Sequence, residues 1–118
     1  MAVKHIDLDD CYIPKTPDKN IIADVTIGDA QEGSYSIFLG TKLIKSNGPA
    51  MLGKKADIMG KNTIITVAIV DELKETNWTS ITVSIFEGEE PVKIFGPYKA
   101  QAENHLDTVI YSLKLVHK

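Results

Sequence analysis

The chain reads as all-β: a two-sheet antiparallel β-sandwich of six to eight strands, immunoglobulin-like in outline, forming a single domain over residues 1–118. Three observations predict this. Apolar and polar residues alternate with the period of a strand over most of the length. Segments of strand length recur at spacings of roughly 10 to 20 residues with turn residues between them. No long amphipathic helical stretch is present. A closed barrel is the alternative arrangement of the same strands.

Each element follows from its own residues. VKHIDL near the start is a short strand. Ile21, Ala23, Val25 and Ile27 alternate with Ile22, Asp24 and Thr26, a half-buried strand that ends at GDAQEGS. Residues 35–44 place Tyr35, Ile37, Leu39 and Leu43 on one side, with Gly40 as a bulge. TIITVAIV, 63–70, is apolar on both faces and β-branched, which suits a strand covered on both sides. TSITVSIF turns Ile81, Val83 and Ile85 inward and Ser80, Thr82 and Ser84 outward.

Pro91 and Pro97 bracket the short strand VKIF, and because proline removes a ladder donor this segment belongs at a sheet edge. KAQAENH is read as one helical turn. The last strand sets Val109, Tyr111, Leu113 and Leu115 against Ile110, Ser112 and Lys114. The immunoglobulin pair of cysteines around a buried Trp is missing, and Trp78 begins a strand.

Residues 46–62, SNGPAMLGKKADIMGKN, come closest to a motif that names a chemistry: Gly48, four residues, then Gly53 and Lys54. A phosphate loop needs Ser or Thr after the lysine to hold Mg²⁺, a helix running on from that point, and a parallel α/β sheet around it. Lys55 stands in the metal position, and Gly60 stops any helix within two turns. No nucleotide is therefore expected. Two structural readings stay open: a short helix from Pro49 to Gly60 with Met51, Leu52, Ile58 and Met59 inward, or an edge strand over KADIM turning through GKN. The all-β pattern favours the second.

Composition narrows function by exclusion. All 13 basic residues are Lys and the net charge is −3, so bidentate Arg recognition is missing and no basic face emerges; nucleic acid is not an expected partner. No apolar run approaches the ~18 residues of a membrane-spanning helix. A soluble, cytoplasmic chain is the default, and a mature secreted domain has the same appearance. Cys11 is the single cysteine, with acidic neighbours Asp9 and Asp10, and is read as an incidental thiol.

The remaining constellations are common ones. His5–Asp7 and His105–Asp107 repeat a spacing that puts each pair on one strand face, a metal site only if the fold brings them together. Asp71, Glu72 and Glu75 read as a solvated turn, as do Glu87, Glu89 and Glu90, which lack the apolar pocket that glycoside chemistry needs. No nucleophile, base or cofactor motif appears, so no catalytic residue, metal or cofactor is assigned. Trp78, Tyr98 and Tyr35 are candidate stacking groups, and Met51 and Met59 a candidate adaptable lip. The leading expectation is a non-catalytic protein-binding or self-assembling module that uses an exposed edge strand or the loops holding Met51 and Trp78. The alternative is a small-ligand or carbohydrate-binding sandwich using Trp78 and Tyr98, and a metal-dependent enzyme on the His–Asp pairs comes third.

Overall fold

Strands with one apolar face leave water only by stacking that face on another, and here they do so as two sheets. The computed structural model describes residues 2–29, 31–72 and 76–118. It contains β1 (Val3–Cys11), β2 (Ile21–Ile27), β3 (Gly33–Leu39), β4 (Lys42–Ser46), β5 (Ala50–Gly53), α1 (Lys55–Ile58), β6 (Asn62–Val70), β7 (Trp78–Glu87), β8 (Glu90–Gln101) and β9 (Thr108–Val116). One sheet has five strands in the order β1-β9-β6-β3-β4, and the other has four in the order β5-β2-β7-β8.

The nine strands exceed the six to eight expected, because residues 35–44 form a hairpin of two strands and β5 adds another. The sheets are not wholly antiparallel either. β1 runs parallel to β9 in an unbroken register from Val3 opposite Thr108 to Cys11 opposite Val116. Such a pair needs a long crossover, and almost the whole chain lies between these strands. The five-plus-four division is that of a variable-type immunoglobulin domain, but the chain changes sheet at β1–β2, β2–β3, β4–β5, β5–β6, β6–β7 and β8–β9. The fold is a two-sheet β-sandwich of five and four strands, and the immunoglobulin-like outline expected from the sequence goes beyond what this chain path supports.

The core is the set of inward positions read from the alternation. Ile37, Ile65, Val67, Ile69, Val109, Tyr111, Leu113 and Leu115 of the larger sheet meet Ile21, Ala23, Ile81, Val83, Ile85 and Phe95 of the smaller. β6 departs from its reading as a strand covered on both sides: Thr63, Ile65, Val67 and Ile69 are buried, whereas Ile64, Thr66, Ala68 and Val70 are half-exposed. No layer covers the outer face, and its β-branched residues serve the pleat.

Other departures have local causes. Gly40, with φ of +61°, makes the β3–β4 turn in place of a bulge, and Leu43 pairs with Phe38 on the outer face, where it is 50% exposed. Residues 46–62 contain an edge strand and a helix, with KADI helical and the strand lying earlier, at β5. Gly53 makes that succession possible: its φ is +118°, and a Cβ there would meet the Asp57 side chain at 2.9 Å. Asp57 in turn accepts the Lys54 N–H at 2.9 Å, so the Gly-Lys pair belongs to a four-residue helix start.

β8 lies at an edge as its prolines require, but it runs for 12 residues, through both prolines, by shifting register twice against β7. Lys99, Ala100 and Gln101 extend it, so KAQAENH is not a helical turn. No helix among the described residues is long and apolar enough to cross a membrane.

Inward and outward positions of β6 are expected to differ sharply in urea unfolding. Ile65→Ala should lower stability by about 2–5 kcal/mol and Ile64→Ala by about 1 kcal/mol or less. Equal losses would mean that the outer face is also packed.

Candidate functional site

A sandwich exposes unpaired backbone only at its sheet edges, which here are β4, β5, β8 and β1. Three of the four are interrupted. β4 has five residues, carries Lys42 and Lys45, and is paired through a bulge. β5 has four residues, Ala50–Gly53, directly after Pro49. β8 contains Pro91 and Pro97 and shifts register. β1 is different: nine residues without Gly, Pro or irregularity.

The hydrogen bonds at the two ends of β1 show which groups it offers. Thr108 N–H donates to the Ala2 carbonyl at 3.0 Å, and Tyr12 N–H donates to the Val116 carbonyl at 3.0 Å. In a parallel ladder this phase turns the N–H and C=O of Lys4, Ile6, Leu8 and Asp10 toward β9, and those of Val3, His5, Asp7, Asp9 and Cys11 away from the sheet. Among the described residues, the one outward N–H with a partner is that of Cys11, held by the Asp10 carboxylate at 2.9 Å. Side chains follow the same parity. Lys4, Ile6, Leu8 and Asp10 sit beside the buried Val109, Tyr111, Leu113 and Leu115 and face inward, while the remaining residues face out.

β1 is pinned at both ends. At its start, the buried Asp107 carboxylate accepts the Ala2 N–H at 2.9 Å and the Asn104 N–H at 3.1 Å. At its end, the chain passes through Tyr12, whose hydroxyl donates to Glu87. Glu87 is 2% exposed and also accepts the N–H of Lys15 at 3.1 Å and of Thr16 at 2.9 Å. Burial alone would raise its pKa, but the hydrogen bonds from Tyr12, Lys15 and Thr16 outweigh that and hold it below the ordinary 4.5. Burial, then the Glu87 carboxylate, push the Tyr12 phenol upward.

His117 completes this end. Its Nδ1 lies 2.6 Å from the Tyr12 carbonyl and its Nε2 2.7 Å from Thr63 Oγ1. A carbonyl only accepts, so Nδ1 carries the proton and Nε2 accepts from the Thr63 hydroxyl. The ring is neutral and burial lowers its pKa, opposed in part by the Tyr12 carbonyl. Thus Glu87 is a buried structural carboxylate, not a solvated turn acid, while Glu89 and Glu90 are exposed as expected. Asp71 also departs from that reading: it is fully buried and accepts a hydrogen bond from Gln31 Nε2 at 2.7 Å. Glu72 is exposed, and Glu75 lies outside the described residues.

The aromatic and methionine candidates do not converge. Trp78 is 45% exposed at the start of β7, and Tyr98 of β8 is half-buried beside Asp10 of β1. Tyr35 donates its hydroxyl to Asp24 at 3.1 Å; burial, then Asp24, push its pKa up to about 12. Among the described residues the one pair of contacting aromatic rings is Tyr12–His117. Met51 is exposed on a groove of about 690 Å³ where the β3–β4 turn faces β5 and α1, with Leu39, Ile44 and Leu52; Met59, half-buried, does not line it.

The parallel pairing does bring the two His–Asp segments close, with His5 beside Ile110. His5 and Asp7 face out on β1, whereas Asp107 turns to Ala2 and His105 is exposed. No group of three or more His, Cys, Asp or Glu side chains is placed to hold a metal among the described residues. Cys11 is exposed at the end of β1. Compared with known proteins, the chain matches no protein-family model, no curated protein and no solved structure.

The anchored end sets an acid response. His117 protonates in the unfolded chain near 6.5 but resists protonation when folded, so the unfolded state binds more protons and stability falls as pH drops below that value. The contribution of Glu87 is complete above 4.5 and is lost as pH falls through its lower folded pKa. Urea titrations are expected to show stability falling from about pH 6.5 downward, by up to about 1.4 kcal/mol per pH unit for each group. His117→Gln should flatten the upper part and Glu87→Gln the lower. Unchanged pH curves in both variants would contradict the assignment.

Proposed function

We propose that this chain is a non-catalytic protein-binding module that takes a polypeptide strand onto the free edge of β1. The single observation that supports the reading most is the contrast among the edges: β1 offers an outward row of N–H and C=O groups that, among the described residues, is unpartnered from Val3 to Asp9 and interrupted only at its last N–H, which Asp10 holds, and the other three edges are short or interrupted. An added strand completes such a row with backbone hydrogen bonds, and its alternate side chains supply specificity. The pins at Ala2 and Tyr12 hold the edge in its bound shape beforehand, which reduces the ordering cost of association.

The absence of catalytic motifs among the described residues is in keeping with this reading. The cluster of Glu87, Tyr12 and His117 spends its hydrogen bonds on backbone and on Thr63, leaving an anchor where a reacting atom would have to sit. For a carbohydrate site on Trp78 and Tyr98 the geometry is less favourable, since Tyr98 lies opposite the inward Ile81 whereas Trp78 lies opposite Gln101 on the other face of the strand. The immunoglobulin-like outline plays no part in the proposal, which depends on the edge alone.

Proline is tolerated on an edge strand where its missing N–H would have faced solvent. Asp7→Pro is therefore expected to keep the circular-dichroism spectrum and stability within about 1 kcal/mol of wild type. It should abolish association, read by light scattering for self-association and by co-purification from source-cell extract for other proteins. Asp7→Ala, which retains the N–H, should associate normally, and Leu8→Pro, whose N–H points into the sheet, should unfold. A wild-type chain with no association, or one whose every association survives Asp7→Pro, would refute the reading.

A further inference from the structure

We infer that the strand accepted by β1 is β1 of a second copy, paired antiparallel about a two-fold axis at Asp7. This rests on the edge reading above and adds a partner and a register to it. The sequence of β1 is complementary to itself when read in reverse. A two-fold joint that keeps both cores on one side of a continuous sheet must pair inward residues with inward ones, so its axis passes through a residue of β1. Centred on Asp7, Ile6 lies opposite Leu8, Lys4 opposite Asp10, His5 opposite Asp9 and Val3 opposite Cys11.

Each of these pairings suits its position. Ile6 and Leu8 are the half-buried apolar residues of β1, and each copy would cover the other's. Lys4 and Asp10 are the inward charged residues, of opposite sign and equidistant from Asp7. They fall at non-hydrogen-bonded positions, where opposing side chains lie closest. The outward set of Val3, His5, Asp7, Asp9 and Cys11 supplies the hydrogen-bonded pairs, in the phase that the β9 ladder leaves free; at the Val3–Cys11 pair the Asp10 carboxylate releases the Cys11 N–H as it turns to Lys4 of the second copy.

Neighbouring registers fit less well. An axis at Leu8 sets Asp7 against Asp9 and Ile6 against Asp10; one at Ile6 sets Lys4 against Leu8 and Val3 against Asp9. The Asp7 axis brings Asp7 to face its own copy, but on the outer face in solvent, where like charges are best screened.

Charge exchange tests the partner and the register together. Wild type should reach twice the 13.0 kDa of one chain in a concentration-dependent way. Lys4→Glu and Asp10→Lys, each alone, place like charges opposite twice per dimer and should weaken dimerisation about tenfold or more. The double exchange should restore it to within about threefold of wild type. Val3→Cys should form a disulfide with Cys11 of the second copy on mild oxidation, since the Cα spacing of about 5.5 Å in a hydrogen-bonded pair lies in the disulfide range.

The outcomes separate the two readings. A wild type that stays monomeric, while Asp7→Pro abolishes capture of another protein, sinks the second-copy inference and spares the edge. A dimer that survives Asp7→Pro sinks the inference. A dimer lost in Asp7→Pro but not rescued by the double exchange, and without the Val3→Cys crosslink, sinks the Asp7 register.

Discussion

Glu87 keeps a charge out of water at the end of the sandwich, and the position of β1 depends on it. An isolated buried carboxylate would cost several kcal/mol, so it persists only with donors arranged around it. Those donors come from the segment just after β1: the Tyr12 hydroxyl and the N–H groups of Lys15 and Thr16. Hydrogen bonds to a charged group contribute about 1.5–3 kcal/mol each, enough to tie this segment to the end of β7. His117 and Thr63 add a second tie between the same segment and the strands β6 and β9. A strand held by β9 along one side only would otherwise be free to slip or peel, and the anchor fixes its register.

That anchor was invisible in the chain for a physical reason. Glu87 sits in a run with Glu89 and Glu90 next to a turn, and exposed carboxylates are the ordinary state of such a run. What distinguishes it is parity: Ile81, Val83, Ile85 and Glu87 occupy one face of β7, so the alternation that placed the first three inward places the carboxylate there as well. The partners lie 71 to 75 positions away and carry no local signal. His117 could have been suspected on similar grounds, because it continues the inward series of β9.

Strands with strict alternation were the most legible part of the fold. β2, β7 and β9 needed only the period of two, since one face of each is buried and a slip by one residue would invert it. Where the alternation is weak, context decided. The outer face of β6 is apolar without being covered, and KADI is helical because Gly53 and Asp57 start a turn that the strand pattern does not encode. Of the candidate site, the sequence indicated that the proline-bracketed segment lies at a sheet edge and that an edge strand would be exposed. It did not reveal which, because β1 becomes an edge through its parallel pairing with β9.

The charges of β1 then answer a problem of their own. A long, flat, apolar edge would pair with any exposed strand, and acidic residues such as Asp7 and Asp9 penalise most of those encounters. On the proposed pairing, a partner brings complementary charge in the correct order. With Lys4 early and Asp10 late, an antiparallel copy presents that order, whereas a parallel in-register copy sets each charge against itself. On that pairing the same residues that repel indiscriminate contacts would select one direction of approach, because the order of charges discriminates where the backbone alone would accept either direction.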